Sequence, residues 1–446
     1  MSDGNTNVRW LPAWSRRSPA GLAACALAVV TALALTPNTA EAQQFLGKTA
    51  PVSGTMGQSL SATLSWGTNS SAFRYEYCIR NTVDNDCGGT WTSAGLATSA
   101  TVTGLSYSTA YYWQVRAALF LTEPTPHTEY VYADSGTWWC FATREGLRTD
   151  FDGDGKSDIL WHHATRGEVW LWTMDGAAKT AESYVRTVAD TGWQIRSVSD
   201  HDGNGSADLV WRHAGTGELY FWPMKSLLTV AEIYMGIIDP AYDVVGTGDF
   251  NGDGKVDLLW RHVTNGELWI WLMNGATPLS MQYVGTVDPG YAVKGSGDLN
   301  WDGKADIVWH HATRGEVWVW LMNGTTRLSE TWVATVPDVG YQIVGVADHS
   351  GNGKAEILWH HATSGEVWLW PMDGPTRVTE TLVATVPDTA YRIAGTGDYD
   401  GEAKADILWH HATRGEVWVW LMNGAVPLSQ NYAGSVPDTG YKIVGR

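Results

Sequence analysis

Basic residues are scarce in this 446-residue chain: Lys and Arg total 29 against 47 Asp and Glu, a formal net charge of −18. A nucleic-acid-binding protein needs a basic face to neutralise phosphates, and this composition does not supply one. Charged residues of both signs make up only 17% of the chain, whereas there are 27 Trp and 49 Gly. Few helix-forming charged residues and many Gly and Trp favour short strands and tight turns.

Long apolar runs are also missing after the N-terminal region. The longest, Gly21 to Leu35, has about 15 residues and is too short to span a bilayer. Three arginines precede it (Arg9, Arg16 and Arg17), and Ala40-Glu41-Ala42 follows it. This pattern predicts a signal peptide over residues 1–42 and a mature chain that begins at Gln43. A retained anchor is the alternative. We expect a bacterial protein that is secreted, extracellular or on the cell surface, with no transmembrane segment in the mature chain.

Cysteine is rare, with four residues in all. Cys78 and Cys87 lie nine residues apart across a turn-rich stretch, which predicts a disulfide that closes a hairpin. Cys140 is then left over, and we interpret it as a small buried thiol, with an intermolecular bridge as the alternative.

Residues 43–144 alternate apolar and polar side chains in short runs separated by Gly, Ser and Thr, as in Ala62 to Trp66, Tyr75 to Ile79 and Tyr111 to Arg116. This period-two alternation predicts an antiparallel β-sandwich. The early Trp66, the Tyr75-Glu76-Tyr77 strand and Tyr111 resemble a fibronectin type III domain. The resemblance implies a spacer or a binding module, and no catalytic constellation is visible here.

Residues 145–446 repeat a unit of 49 to 50 residues six times. The repeat is marked by an aspartate at the start of each copy: Asp150, Asp200, Asp249, Asp298, Asp348 and Asp398. Each copy reads as an acidic loop followed by four short strands, which is one blade of a β-propeller. The overall prediction is therefore an all-β chain with a fibronectin type III-like sandwich followed by a six-bladed propeller.

Closure of the propeller is predicted from the two ends of the repeat region. Every copy except the first is preceded by an apolar strand, and Tyr441 to Arg446 repeats that strand after the last copy. Placed beside the first copy, it would complete the first blade and remove the free sheet edges. An open array or an incomplete seventh blade is the alternative.

The acidic loops carry a calcium pattern. The first loop places Asp150, Asp152, Asp154 and Asp158 at positions 1, 3, 5 and 9, with glycine at position 6 for the sharp bend. The predicted ligands of the other five loops are Asp200, Asp202, Asn204 and Asp208; Asp249, Asn251, Asp253 and Asp257; Asp298, Asn300, Asp302 and Asp306; Asp348, Asn352 and Glu356; and Asp398, Asp400 and Asp406.

Position 12 separates these loops from EF-hand sites. An EF-hand needs a bidentate Glu there, and all six copies have Trp, so an EF-hand is excluded. The fifth loop is weaker, and the sixth has Ala403 in place of the glycine. The alternative interpretation is that the loops are only Asp-Gly turns between strands.

The repeated Asp-x-Asp-x-Asp-Gly-x-x-Asp followed by an apolar strand resembles the FG-GAP or VCBS repeats of calcium-binding propellers, over about 300 residues. The resemblance implies adhesion or ligand recognition with calcium as a structural element. The chain departs from it by having Trp-His-His or Trp-Arg-His in place of Gly-Ala-Pro.

Each copy also carries a pair of aromatic residues two apart, such as Trp318 and Trp320. These pairs are either inter-blade packing or the lining of sugar-binding clefts. The adjacent His pairs, such as His310-His311, point to opposite faces of a strand and predict turn hydrogen bonds with Thr and Glu rather than a metal site. We expect a recognition or adhesion module whose partner is a glycan or a surface protein. A polysaccharide-degrading enzyme is a weaker alternative, since no asymmetric catalytic group is visible.

Overall fold

The structure is a computed structural model, and it describes residues 46–53, 55–58, 62–81, 87, 89–103, 105, 110–121, 126–143 and 149–445. The predicted signal peptide, residues 1–42, lies outside this range. The described residues form an all-β protein, and none of them belongs to a helix that is long and apolar enough to cross a membrane.

Two sheets form the N-terminal part. The first contains three strands, in the order Lys48–Ala50, Ala62–Trp66 and Ser99–Val102. The second follows the order Thr55–Gln58, Trp139–Thr143, Ala110–Leu121, Ala72–Arg80 and Thr92–Gly95, and His127–Tyr132 pairs with Ala110–Leu121. A short 3-10 segment, Ala133–Gly136, precedes Trp139–Thr143. Leu64 and Trp66 of the first sheet pack with Trp113 and Val115 of the second in one core.

Cysteine pairing in this part corrects one expectation. Cys78 and Cys87 are joined by a disulfide bond. Cys140 is buried, but it is also disulfide-bonded, so the interpretation of Cys140 as a free buried thiol is wrong.

The C-terminal part contains six four-stranded antiparallel sheets, which we number in chain order. The first consists of Tyr441–Val444, Ile159–His163, Glu168–Asp175 and Ala178–Thr187. The second consists of Trp193–Ser199, Asp208–His213, Glu218–Trp222 and Ile233–Ile237, and the third of Tyr242–Gly248, Asp257–His262, Glu267–Asn274 and Thr277–Thr286. The fourth consists of Tyr291–Gly297, Asp306–His311, Glu316–Asn323 and Thr326–Thr335.

The fifth sheet consists of Tyr341–Ala347, Glu356–His361, Glu366–Trp370 and Thr381–Thr385. The sixth consists of Tyr391–Gly397, Asp406–His411, Glu416–Asn423 and Val426–Ser435. Two small hairpins accompany the second and fifth sheets: Met224–Lys225 with Leu228–Thr229, and Met372–Asp373 with Thr376–Arg377. The first strand given for each sheet is called its inner strand below.

The C-terminal inner strand occupies the place that the sequence predicts. Tyr441–Val444 pairs antiparallel with Ile159–His163, and the register joins Trp161 to Ile443 and His163 to Tyr441. The Tyr441 hydroxyl also donates a hydrogen bond to Glu168 of the next strand. The end of the chain thus completes the sheet that the start of the repeat region leaves one strand short.

Each pair of consecutive sheets shares an apolar core. The core between the fourth and fifth sheets contains Val317 and Val319 on one side and Ile357 and Trp359 on the other. Equivalent cores lie between the first and second, second and third, third and fourth, and fifth and sixth sheets. A sixth core joins the sixth sheet to the first and includes Ile443. The six sheets therefore follow one another in a cycle.

Candidate functional site

In the second to sixth sheets, an acidic loop connects the inner strand to the second strand of the same sheet. The first acidic loop instead leads from the start of the repeat region into Ile159–His163 of the first sheet. The loops are numbered with their sheets and cover residues 150–158, 200–208, 249–257, 298–306, 348–356 and 398–406. In the first loop, the Asp150 carboxylate accepts hydrogen bonds from the N–H groups of Gly153 (2.7 Å) and Gly155 (2.9 Å). The aspartate at position 1 of each other loop accepts the same two bonds, from positions 4 and 6.

Position 6 requires a backbone conformation that favours glycine. The glycines at this position in the first five loops have φ between 78° and 88°. Ala403 takes the same place in the sixth loop with φ 66°. Since a Cβ atom is strained in this region, the sixth loop keeps the shape of the others at a cost in stability.

The acidic residue at position 9 anchors the loop to the sheet. Asp158 is almost fully buried, and its two oxygens accept hydrogen bonds from the N–H of Phe151 (2.9 Å) and from the N–H of Met174 (3.0 Å) at the end of the third strand. Asp208, Asp257, Asp306 and Asp406 make the same two contacts. The carboxylate of Glu356 accepts a hydrogen bond from the N–H of His349. Position 9 therefore has a structural role beyond the predicted role of cation ligand.

Burial raises the pKa of several deeply placed carboxyl groups at positions 1 and 9 of these loops. Burial raises the pKa of Asp150 to about 7. The neighbouring Asp154 and Asp152 also raise this pKa, whereas the hydrogen bonds from the N–H groups of Gly153 and Gly155 lower it. Burial also raises the pKa of Asp158 to about 8, and the same cause brings Asp208, Asp257 and Asp406 to about 8. These groups are costly to ionise without a nearby positive charge, which a bound cation would supply.

Three of the six loops bring three carboxylates together. Asp150, Asp152 and Asp154 offer oxygens within 4.8 Å of one another. So do Asp200, Asp202 and Asp208 in the second loop, and Asp398, Asp400 and Asp406 in the sixth. In the third, fourth and fifth loops, no three acidic side chains meet this distance within the described part of the chain, and asparagine or serine holds position 3. The carboxylate and amide oxygens present are the ligand types that calcium takes in proteins.

Neighbouring loops are tied to one another by backbone hydrogen bonds. The N–H at position 8 of each loop donates to the carbonyl at position 1 of the loop before it, as from Ala305 to Asp249 (2.7 Å). The bond from Ser157 to Asp398 (2.7 Å) joins the first loop to the sixth. The six bonds form a closed cycle.

The two members of each His-His or Arg-His pair have different roles. The second member stabilises the following turn, because the Nδ1 atom of His311 accepts hydrogen bonds from the N–H groups of Thr313 and Arg314. The same contacts are made by His163, His213, His262, His361 and His411. The turn with Thr is thus as predicted, while Glu316 is held by the Tyr291 hydroxyl.

The first member of each pair packs on a tryptophan of the next sheet. The His310 ring meets Trp359 edge-on, with ring centroids 5.3 Å apart. His162 meets Trp211, His360 meets Trp409, and His410 meets Trp161 in the same way, while Arg212 and Arg261 lie over Trp260 and Trp309. All six interfaces between consecutive sheets contain this contact, which the sequence pattern does not predict.

The aromatic pairs are divided between the core and the surface. In the fifth sheet Trp370 is buried and Trp368 is half-buried. Both line a cavity of about 370 Å³ between the fourth and fifth sheets, together with Tyr341, Arg377 and Glu380. Both interpretations of the pairs, packing and cleft lining, therefore apply at this interface.

A second cavity of about 260 Å³ lies between the first and second sheets. Much of its lining is equivalent to that of the first cavity, with Trp193, Tyr220, Trp222 and Glu232 in place of Tyr341, Trp368, Trp370 and Glu380, while its arginine, Arg186, comes from a different position than Arg377.

A proline follows the third strand of each of these two sheets. Pro223 and Pro371 stand directly after Trp222 and Trp370, where the third strand ends. In the other four sheets the strand continues for three more residues. Because proline has no N–H to donate, it interrupts the ladder at this point. The two sheets whose aromatic pairs line the cavities thus share a proline where the other sheets have Thr or Leu.

Comparison with known protein families finds a similarity over part of the chain. The FG-GAP-like repeat family matches residues 150–211, 200–260, 249–309 and 298–359, so each match joins two consecutive acidic loops. No curated protein sequence matches the chain.

Similar solved structures include several propellers. The Cps50 (Swd1) β-propeller domain of Myceliophteria thermophila is 11% identical, with 84% of this chain and 96% of that chain covered and a TM-score of 0.34. The Dos1 propeller is 12% identical, with coverages of 73% and 81% and a TM-score of 0.36. A putative 6-phosphogluconolactonase of Bacteroides fragilis is 14% identical, with coverages of 85% and 100% and a TM-score of 0.39. With TM-scores this low, the fold assignment depends on the family match: four tandem FG-GAP-like repeats support an FG-GAP β-propeller.

Proposed function

We propose that this protein is an exported recognition module: a six-bladed propeller, stabilised by calcium and preceded by a fibronectin type III-like domain, that binds a glycan. The observation that carries the proposal is the matched pair of aromatic cavities between sheets. The ring itself is supported by the six shared cores, the loop-to-loop hydrogen bonds and the pairing of Tyr441–Val444 with Ile159–His163. The sandwich assignment is supported by the three-stranded sheet facing the larger one.

Calcium is the cation that the loops are best suited to hold. In the first loop, Asp150, Asp152 and Asp154 converge, and the nearby Asp158 is buried with a raised pKa. A hard divalent cation would let these carboxylates ionise. At a free concentration ten times its dissociation constant, calcium would stabilise the fold by about 1.4 kcal/mol per site.

Thermal unfolding with calcium or with chelator tests the loop proposal. We expect a higher melting temperature with calcium and a smaller calcium effect in Asp154→Asn. Asp190→Asn is the matched control, because Asp190 is exposed and pairs with His213, outside the carboxylate clusters. An identical melting curve with and without chelator in the unmodified chain would refute calcium binding.

Glycan binding is supported by the chemistry of the two cavities. A half-buried aromatic face beside an arginine and a carboxylate suits a sugar ring, since the face packs on C–H groups and the charged groups bind hydroxyls. In the larger cavity, the Arg377 guanidinium lies over Trp370 at 4.4 Å and pairs with Glu380 at 2.6 Å. In the smaller one, Arg186 of the first sheet pairs with Glu232 of the second.

A glycan array followed by calorimetry on the strongest hit tests this proposal. We expect Trp368→Ala and Tyr220→Ala each to remove one of two equivalent sites, so that the stoichiometry falls from two to one, and the double variant to abolish binding. Tyr283→Ala is the control, because Tyr283 is a half-exposed aromatic residue on the outermost strand of the third sheet and lies outside both cavities. A blank array with calcium-loaded protein would refute glycan recognition.

Protein adhesion is the second candidate, and the outer rim of the ring favours it. The outermost strands carry a half-exposed aromatic residue at equivalent positions in five sheets, Tyr184, Tyr234, Tyr283, Trp332 and Tyr432, with Leu382 in the fifth. Such a belt offers the aromatic anchors that protein interfaces use. If the rim is the binding surface, Trp332→Ala weakens capture of a surface-protein partner while Trp368→Ala leaves it unchanged.

A further inference from the structure

The third strand of every sheet begins with a glutamate, which we call the strand-start glutamate: Glu168, Glu218, Glu267, Glu316, Glu366 and Glu416. In the first, fourth and sixth sheets, an arginine two residues earlier forms an ion pair with it at 2.8 to 3.3 Å: Arg166, Arg314 and Arg414. The second, third and fifth sheets have other residues at the arginine position: Thr216, Asn265 and Ser364. Half of the strand-start glutamates therefore lack the arginine that neutralises the others.

The second and fifth sheets, whose aromatic residues line the two cavities, are among those without the arginine. In the fifth sheet, Oε2 of Glu366 accepts hydrogen bonds from the indole N–H of Trp368 (3.2 Å) and from the Tyr341 hydroxyl, and both donors belong to the cavity wall. Among the described residues, no group donates to Oε1. The hydrogen bonds from Tyr341 and Trp368 lower the pKa of Glu366, so its carboxyl group is ionised at neutral pH. The wall of the larger cavity therefore carries a negative charge with an open acceptor.

The smaller cavity repeats this arrangement in the second sheet. Glu218 stands two residues before Tyr220, as Glu366 stands two residues before Trp368, and residues two apart share one face of a strand. The Thr216 hydroxyl donates a hydrogen bond to Glu218 at 2.9 Å from the position that holds an arginine in three other sheets. A neutral hydroxyl thus replaces the guanidinium beside this carboxylate as well.

The arginine that lines each cavity is already paired with a carboxylate. Arg377 is the only lysine or arginine among the described residues that line the larger cavity, and its guanidinium lies 2.6 Å from Glu380. In the smaller cavity, Arg186 pairs with Glu232. Each pair cancels in charge, which leaves the strand-start glutamate without a counter-charge. The described lining of the cavities, in a chain with a net charge of −18, therefore offers no unpaired cation to a sugar carboxylate or sulfate.

We propose that the two cavities select glycans that carry free amino groups. The sugar ring packs on the half-buried aromatic face, Trp368 in the larger cavity and Tyr220 in the smaller. Its ammonium group pairs with the strand-start glutamate, where three other sheets have an arginine guanidinium, and the aromatic faces also attract a cation directly. This inference rests on the glycan binding proposed above and adds the chemical class of the sugar.

Calorimetry at low salt and pH 6 tests the selectivity on the calcium-loaded full chain carrying Tyr220→Ala, which leaves the larger cavity as the single site. The probes are β-1,4-linked trimers of glucosamine, glucose and glucuronate, which differ in the sign of their charge. We expect the glucosamine trimer to bind at least tenfold more tightly than the glucose trimer, and the glucuronate trimer to bind most weakly. Adding Trp368→Ala should abolish binding of the glucosamine trimer, and unchanged binding would overturn the proposal.

Two variants of the fifth sheet change the charge beside the cavity. Ser364→Arg supplies the guanidinium that three other sheets have, and Glu366→Gln removes the carboxylate. Each should reduce the preference for glucosamine over glucose to threefold or less. Ser364 is exposed, and the same turn holds an arginine in three sheets, so Ser364→Arg is expected to fold. The matched controls are Asn265→Arg and Glu267→Gln, which make the same charge changes in the third sheet outside both cavities and should keep the preference within twofold.

The outcomes separate this inference from glycan binding itself. If the glucose or glucuronate trimer binds as tightly as the glucosamine trimer, or if Ser364→Arg and Asn265→Arg lose the preference equally, amino-sugar selectivity is wrong and glycan binding stands. Selectivity is also wrong if none of the trimers binds while the glycan array shows other ligands. A blank array overturns both proposals.

Discussion

Replacement of Ile443 by alanine measures whether the last strand of the chain contributes to the ring as strongly as an internal strand. Ile443 is 9% exposed and lies in the core between the sixth and first sheets. Ile343, the equivalent residue of the fifth sheet, is 5% exposed in a comparable core. Each substitution removes three buried carbon atoms at about 0.8 kcal/mol each and leaves a cavity, so we expect each to lower the free energy of unfolding by about 3 kcal/mol.

The assay is urea unfolding of the full chain in calcium, followed by tryptophan fluorescence. Val426→Ala serves as a surface control, because Val426 is largely exposed and its truncation should change the free energy by less than about 0.5 kcal/mol. The reasoning fails if Ile443→Ala behaves like Val426→Ala while Ile343→Ala costs several kcal/mol. That outcome would mean that Tyr441–Val444 is not held in the first sheet in solution.

Three further predictions concern the turns and loops. A Cβ atom at Gly315 would lie 1.8 Å from the Val336 carbonyl oxygen, so Gly315→Ala should lower the free energy of unfolding by more than about 3 kcal/mol. Gly324 has open space around it, so Gly324→Ala should lower it by only about 1 kcal/mol. Equal losses of the two variants in urea unfolding would contradict this prediction. Ala403→Gly should raise the free energy of unfolding by about 1 kcal/mol, because it relieves the positive φ; a lower value in the same assay would contradict it. In chelator, the melting temperature should fall from pH 4 to pH 8, because burial raises the pKa of Asp158 to about 8 and the folded state then binds more protons than the unfolded chain. Calcium should weaken or reverse this trend. A melting temperature that rises with pH in chelator would refute the prediction.

The architecture could be predicted from the sequence because its signals are local and repeated. Short apolar strands are separated by turn residues, mostly Gly, and the spacing of Asp150 and its five equivalents shows the repeat directly. The position of Tyr441–Val444 followed from counting strands at both ends. Positive φ at the glycines of position 6 also followed, because the bend in the loop requires it.

The features that were missed depend on contacts between residues that are not neighbours in the sequence. The packing of His310 on Trp359 joins two sheets, and nothing in one repeat shows which side chain of the next it meets. The contact of Asp158 with the N–H of Met174 lies within one repeat, but it joins a loop to a strand end sixteen residues away. Cys140 was misread because pairing of cysteines cannot be derived from spacing alone. The cavities lie between consecutive sheets, and their linings combine residues of both, which one repeat alone does not show.

The cyclic chain of hydrogen bonds between the loops bears on how the protein comes apart and how it could have arisen. A linear stack of repeats has two ends from which it can fray one unit at a time. Here Ser157 bonds to Asp398, so no repeat is terminal, and loss of any one exposes two neighbours at once. The ring should therefore unfold in a single step. If one 49-residue unit were gained or lost, the angle between every pair of neighbouring sheets would have to change.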